Sequence, residues 1–142
     1  MLNATPGHSQ ADSYLALATA DSMAAAEGLT AWALQTEAQR ETALRHAARD
    51  IDSLRFHDPS PWKTGQARVY PRAVDNGSIP SAVQWAQLYQ AEWIAVAGES
   101  ERKSWEGAGT GPLKDAHLGA ALCGRAFALL AKLVARSGEY EK

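Results

Sequence analysis

The chain has one cysteine, two phenylalanines and two methionines among its 142 residues, and nowhere the run of about 18 apolar residues that would span a bilayer. A single cysteine cannot close an internal disulfide. Cys123, set in an apolar pattern, therefore reads as a small buried side chain, which fits a reducing, intracellular setting. The start of the sequence carries no charged segment leading into an apolar one, so no secretory signal is expected. Excess charge of either sign is missing too: 14 Lys and Arg against 16 Asp and Glu leave a formal net charge of −2. That balance excludes overall attraction to nucleic acid or to an anionic membrane, so any DNA contact must be local.

Signatures of catalysis are equally scarce. Gly107 to Lys114 is glycine-rich, but it lacks the Gly-Lys-Ser/Thr ending and the preceding apolar strand of a phosphate loop. His46 and Asp50 lie four apart on a helical pattern with no further ligand nearby, so they read as a solvated pair rather than a metal site. His8, His57 and His117 are scattered, and no nucleophile motif accompanies them. No catalytic, cofactor-binding or metal residue is assigned, and the protein is not expected to be an enzyme.

The residues present describe a folded helical chain. An apolar fraction of 46% with 21% charged residues is that of a globular domain, and the length suits one domain without staples. Pro6 and Gly7 mark residues 1–11 as a flexible N-terminal arm. An alanine-rich run predicts a first helix from Asp12 to Glu27, stopped by Gly28. Thr36 and Gln39 form a capping box for a second helix, with Leu44, Ala47, Ala48, Ile51 and Leu54 on one face, ending near Arg55. Glu41 stands four residues before Arg45 for a helical pair. Pro80 and Ser81 open a third helix that is apolar over most of its circumference, and Gly98 ends it.

Residues 99–114 read as a polar loop containing Trp105. A last helix could start at Gly111-Pro112, with Leu118, Leu122, Ala126, Leu129, Leu130 and Leu133 as its stripe. The expected fold is an all-α bundle of about four helices with a long ordered loop between helices 2 and 3. It comprises one connector-type domain over 12–137 and a tail over 138–142.

Two features suggest contact with partners. The stretch from Phe56 to Ile79 is too long for an ordinary connection and too rich in Trp62, Val69 and Tyr70 to be disordered, so it should pack on something. A helix with two apolar faces must be covered on both, by the core and by another subunit. Trp62, Tyr70, Arg72, Trp85 and Trp93 are the interface candidates, with Trp62, Tyr70 and Arg72 ordering the loop or binding a neighbour. Arg125, Lys132 and Arg136 fall on one side of the last helix, as a solvated face or a DNA-channel lining.

The order and spacing of Ser13-Tyr14, Leu17, Ala20-Asp21, Ala31-Trp32, Ala43-Leu44, Ala47, Ile51-Asp52, Trp62, Gly65-Gln66, Tyr70-Pro71-Arg72, Ile79-Pro80, Val83 and Ala86 resemble the head-tail connector (adaptor) proteins of tailed bacteriophages. Some relatives of that family are labelled primosomal, single-strand-DNA-binding-like proteins. The likeness runs from Asp12 to Ala97, with Tyr70 where the family usually has Trp.

The resemblance implies a non-enzymatic virion protein, made in the bacterial cytoplasm and placed in the neck. It would bind the portal protein and the next neck or tail-completion protein. It would also meet its own copies in a ring of about twelve, and let double-stranded DNA pass without sequence-specific binding. No membrane and no cofactor are implied. The alternative is a single-stranded DNA-binding replication protein that stacks bases on Trp62 and Tyr70 beside the Arg125, Lys132 and Arg136 face.

Overall fold

The Thr36 side chain accepts the Gln39 amide, and the Gln39 side chain in turn accepts the Thr36 amide, so the capping box forms as its spacing requires. A computed structural model describes residues 1–97 and 122–134. Its helices are α1 Leu17–Ala26, α2 Thr30–Ala33, α3 Glu37–Asp52, α4 Ser81–Ala97 and α5 Gly124–Leu130, with a 3₁₀ turn at Ala73–Asp75. Among the described residues there is no strand, only isolated bridges between Phe56 and Val134 and between Pro61 and Arg72. The protein is all-α.

Helices α3 and α4 run antiparallel. Ala48, Ile51 and Leu54, late in α3 or just beyond it, share one core cluster with Val83 and Ala86 early in α4. Ala43, Leu44 and Ala47 share a second cluster with Leu88, Ala91 and Ile94 late in α4. Helices α1 and α2 close the second cluster with Ala20, Ala24 and Trp32, while Leu122, Ala126 and Leu130 around α5 close the first. The chain's own α5 thus covers part of α4 around Val83 and Ala86, while Trp85, Trp93 and Val96 stay partly exposed.

Two helix boundaries depart from the pattern. Helix α1 begins at Leu17 rather than Asp12, because residues 12–15 engage in other bonds: the Tyr14 amide donates to Gln87 Oε1 at 3.0 Å, and the Ser13 hydroxyl donates to the Leu15 carbonyl. Helix α5 ends at Leu130, and Val134 turns back to bridge Phe56. Arg125 and Lys132 therefore do not share a helical face, although both are exposed. Leu118, Trp105, His117 and Arg136 lie outside the described residues. Helix α2 is short and was not signalled by periodicity; Trp32 anchors it, donating its indole N–H to Asp21 Oδ1 at 2.9 Å.

Salt links also differ from the helical expectation. Arg45 bonds Asp12 at 2.9 Å rather than Glu41, and Arg40 bonds Asp21 at 2.6 Å. Both tie α3 to the segments before and within α1. The arm makes its own ties: the Asn3 amide donates to Asp12 Oδ1, and the Ala67 amide donates to the His8 carbonyl.

Candidate interaction surfaces and the loop core

The long loop is built around a side-chain amide. Gln66 Nε2 donates to the carbonyls of Arg68, Val69 and Pro71 at 2.9, 3.3 and 2.8 Å, and Gln66 Oε1 accepts the Lys63 amide. One glutamine thus replaces the ladder that a strand would have supplied to these backbone groups. The Tyr70-Pro71 bond is cis.

Tyr70 points inward, 1% exposed. Its ring meets Phe56 edge-on at 5.0 Å and Tyr14 at 6.0 Å, and the Arg72 guanidinium lies 5.1 Å over it. Arg72 is buried as well, paired through Nε and Nη2 with Asp75 and donating to the His57 carbonyl at 2.7 Å. That pairing with Asp75 holds its charged form above the ordinary arginine range, against the cost of burial. Of the two roles considered for Tyr70 and Arg72, ordering the loop is the one this geometry supports; neither side chain is displayed to a neighbour. The base-stacking pair Trp62 and Tyr70 is dismantled for the same reason.

Trp62 is different. It stays 37% exposed, with Lys63 Nζ 4.8 Å over its ring. Its indole lies against Gly7 of the arm and Gly77 ahead of α4, both at positive φ. A Cβ on Gly77 would stand 2.8 Å from the indole, so only glycine admits the ring there.

A buried polar cluster clamps the loop to the end of α3. The Tyr14 hydroxyl donates to Asp52, Arg68 Nη1 sits 3.2 Å from the same carboxylate, and the Tyr70 amide donates to the Tyr14 oxygen at 3.2 Å. Burial raises the Asp52 carboxyl to about 6, opposed by the Tyr14 bond and the Arg68 charge. Burial and the Asp52 charge together push the Tyr14 hydroxyl well up. A raised acid contributes stability that is fully present below its unfolded value of 3.8 and lost as pH rises through about 6. The contribution is on the order of 2 to 3 kcal/mol. Wild type should therefore lose about that much relative to Asp52→Asn between about pH 4 and pH 7, read by urea denaturation. The opposite slope would mean that the Arg68 pairing outweighs burial.

Helix α4 carries two buried glutamines. Gln87 Nε2 donates to Ser13 Oγ at 2.7 Å and to the Leu44 carbonyl at 2.9 Å. Gln90 Nε2 donates to Asp50 Oδ2 at 3.0 Å, and Gln90 Oε1 accepts the Cys123 amide at 2.9 Å. Asp50 is thus buried in the core beside Gln90 rather than solvated as the helical spacing suggested. Periodicity missed these roles because a glutamine amid Trp, Leu and Ala counts as a polar interruption; its placement on the inward stripe was the available signal.

Trp85 and Trp93 are half-buried on α4. Trp85 stacks on Tyr89 at 5.9 Å, and Arg125 of α5 lies 5.2 Å over the Tyr89 ring. Tyr89, Trp93, Val96, Cys123 and Arg125 line an α4–α5 groove of about 310 Å³. Burial raises the Cys123 thiol, which keeps it protonated and unreactive. Among the described residues no group of His, Cys, Asp and Glu could hold a metal, and no helix is long and apolar enough to cross a membrane.

Among the described residues the large apolar side chains that remain outside are Leu34 at 84%, Val74 at 61% and Val96 at 52%, besides Met1 and Trp62. Leu34 precedes α3 and Val96 closes α4, so antiparallel packing puts them at one end of the pair. Val74 and Trp62 belong to the loop joining the other ends. The 17 residues of α4 separate the two sets by about 25 Å.

Residues 2–111 match the model of a family described as "Putative DnaT-like ssDNA binding protein". No curated protein and no solved structure matches the chain.

Proposed function

The chain belongs to the putative DnaT-like ssDNA binding protein family, and within it we propose that this member works through protein contacts, as a head-tail connector subunit of a tailed phage. The observation that carries the reading is the pair of exposed apolar sets, Leu34 with Val96 and Trp62 with Val74, at opposite ends of the α3–α4 pair. Two different surfaces on one subunit suit a heterologous contact, the kind that closes into a ring. The net charge of −2 suits a channel wall past which DNA must slide. In this reading the portal and the next neck protein meet the ring on its two faces, and the loop held by Gln66, Tyr70 and Arg72 is a rigid corner of each subunit.

A second reading is single-stranded DNA binding, favoured by the family description and by the Trp85–Tyr89–Arg125 stack, since aromatic rings beside a cation are what such binders use. One pair of measurements separates the two. Mixed with the purified portal protein of the same phage, the chain should form closed rings visible by negative stain. It should also leave a fluorescent oligothymidine freely tumbling at low and moderate salt. Tight, steeply salt-dependent oligothymidine binding by the monomer, with no portal association, would replace the connector reading by the second.

A further inference from the structure

The two ends of the α3–α4 pair differ in charge as well as in position. At the end of the pair that carries Leu34 and Val96, Glu37 and Glu41 lie in the first two turns of α3. Arg40, on the same stretch, is already committed to Asp21. Glu92 and Arg125 line the adjoining groove together and offset each other. Among the described residues this end is acidic around exposed apolar side chains.

Among the described residues the other end is basic. Arg49 and Arg55 flank the end of α3, Lys63 adjoins Trp62, and Lys132 follows α5 where that segment returns to Phe56 and His57. All four are exposed, with Asp58 the opposing charge. The other cations of this region, Arg68 and Arg72, are neutralised by Asp52 and Asp75. None of the four exposed cations forms an ion pair among the described residues, and neither do Glu37 and Glu41.

We propose that the Leu34–Val96 end of one copy docks on the Trp62–Val74 end of a second copy, with Glu37 and Glu41 facing Arg55 and Lys63. Apolar side chains at the centre of each patch supply the contact area, and the surrounding charges choose which end meets which. Like ends repel, so head-to-head pairing is disfavoured. Because the ends lie about 25 Å apart, docking one leaves the other free, and the contact repeats from copy to copy. The inference rests on the protein-contact reading above and adds to it which surfaces meet.

Charge reversal at one end at a time tests it on the full chain. Glu37→Lys with Glu41→Lys makes both ends basic, and Arg55→Glu with Lys63→Glu makes the second end acidic. In sedimentation velocity over a concentration series, wild type should self-associate, less so at higher salt. Each doubly reversed variant alone should lose at least about tenfold in association. An equimolar mixture of the two should recover it, because each reversed end then meets its complement. Glu37, Arg55 and Lys63 are exposed and Glu41 is half-buried, and unchanged far-UV circular dichroism checks the fold of both variants.

A monomeric wild type, variants that associate like wild type, or a mixture no better than its components would each overturn the proposal. Portal association, measured separately, tells this failure from failure of the connector reading. Rings on the portal that survive both reversals overturn the docking alone, whereas self-association without portal contact leaves the docking standing and removes the connector.

Discussion

Truncating Tyr70 to alanine is expected to lower the unfolding free energy by about 3 to 5 kcal/mol, the range for emptying a buried aromatic site. The ring fills the space between Phe56 and Tyr14 and supports the Arg72 guanidinium. Its loss leaves a cavity where α3, the loop and the pre-α1 segment meet. The Tyr70 amide, held by the Tyr14 hydroxyl, would lose its fixed position, and with it the clamp on Asp52. Urea denaturation measures the change, and Trp62→Ala is the control. Trp62 is more than a third exposed, so its truncation should cost only about 1 kcal/mol of stability while weakening association. If the two variants destabilised equally, the division between a core tyrosine and a surface tryptophan would be wrong. A Tyr70→Trp variant should also lose about 1 to 3 kcal/mol, because the larger ring overfills a closed site.

Replacing Gln87 by alanine is expected to cost about 3 kcal/mol, combining a buried amide left unsatisfied with the cavity of a lost side chain. Gln87 Oε1 accepts the Tyr14 amide, which lies in buried, non-helical backbone and would have no substitute. The Leu44 carbonyl suffers less, since it belongs to α3 and keeps its helical bond. Gln87→Glu sharpens the test. A glutamate there would be surrounded by the same apolar core, so its folded-state pKa would be raised above the unfolded value. The stability of this variant should then be best below about pH 4 and fall as pH rises toward neutrality, whereas Gln87→Ala should show no such added slope. Equal stability of wild type and Gln87→Ala at neutral pH would remove the glutamine from its place as the bolt between α4, α3 and the pre-α1 segment.

The helical class, the capped start of α3, the opening of α4 at Pro80-Ser81 and the inward stripe of α3 were legible because each depends on residues close in sequence: a cap and its third neighbour, or apolar positions recurring at helical spacing. So was the fact that the Phe56–Ile79 connection is ordered, since its aromatic content demands burial. The start of α1 was not legible. Local preference favours helix from Asp12, but Asp12, Ser13 and Tyr14 are drawn off by Arg45, Leu15 and Gln87, partners that local propensity does not count.

The same division runs through the candidate site. Sequence alone determined that this chain is helical, near neutral, poor in catalytic signatures and organised around a stiff aromatic loop. Tertiary structure alone decided which aromatics face inward. Tyr70 and Trp62 are eight positions apart and chemically alike, yet one closes the core and the other remains half outside between two glycines. It also decided that α5 covers part of α4, that Gln87 and Gln90 make internal bonds, and that, among the described residues, acidic and basic side chains gather at opposite extremes of one antiparallel pair. The physical reason is common to all of these: burial and charge sign at a surface are sums over neighbours brought together by chain reversal, and no local pattern carries that sum.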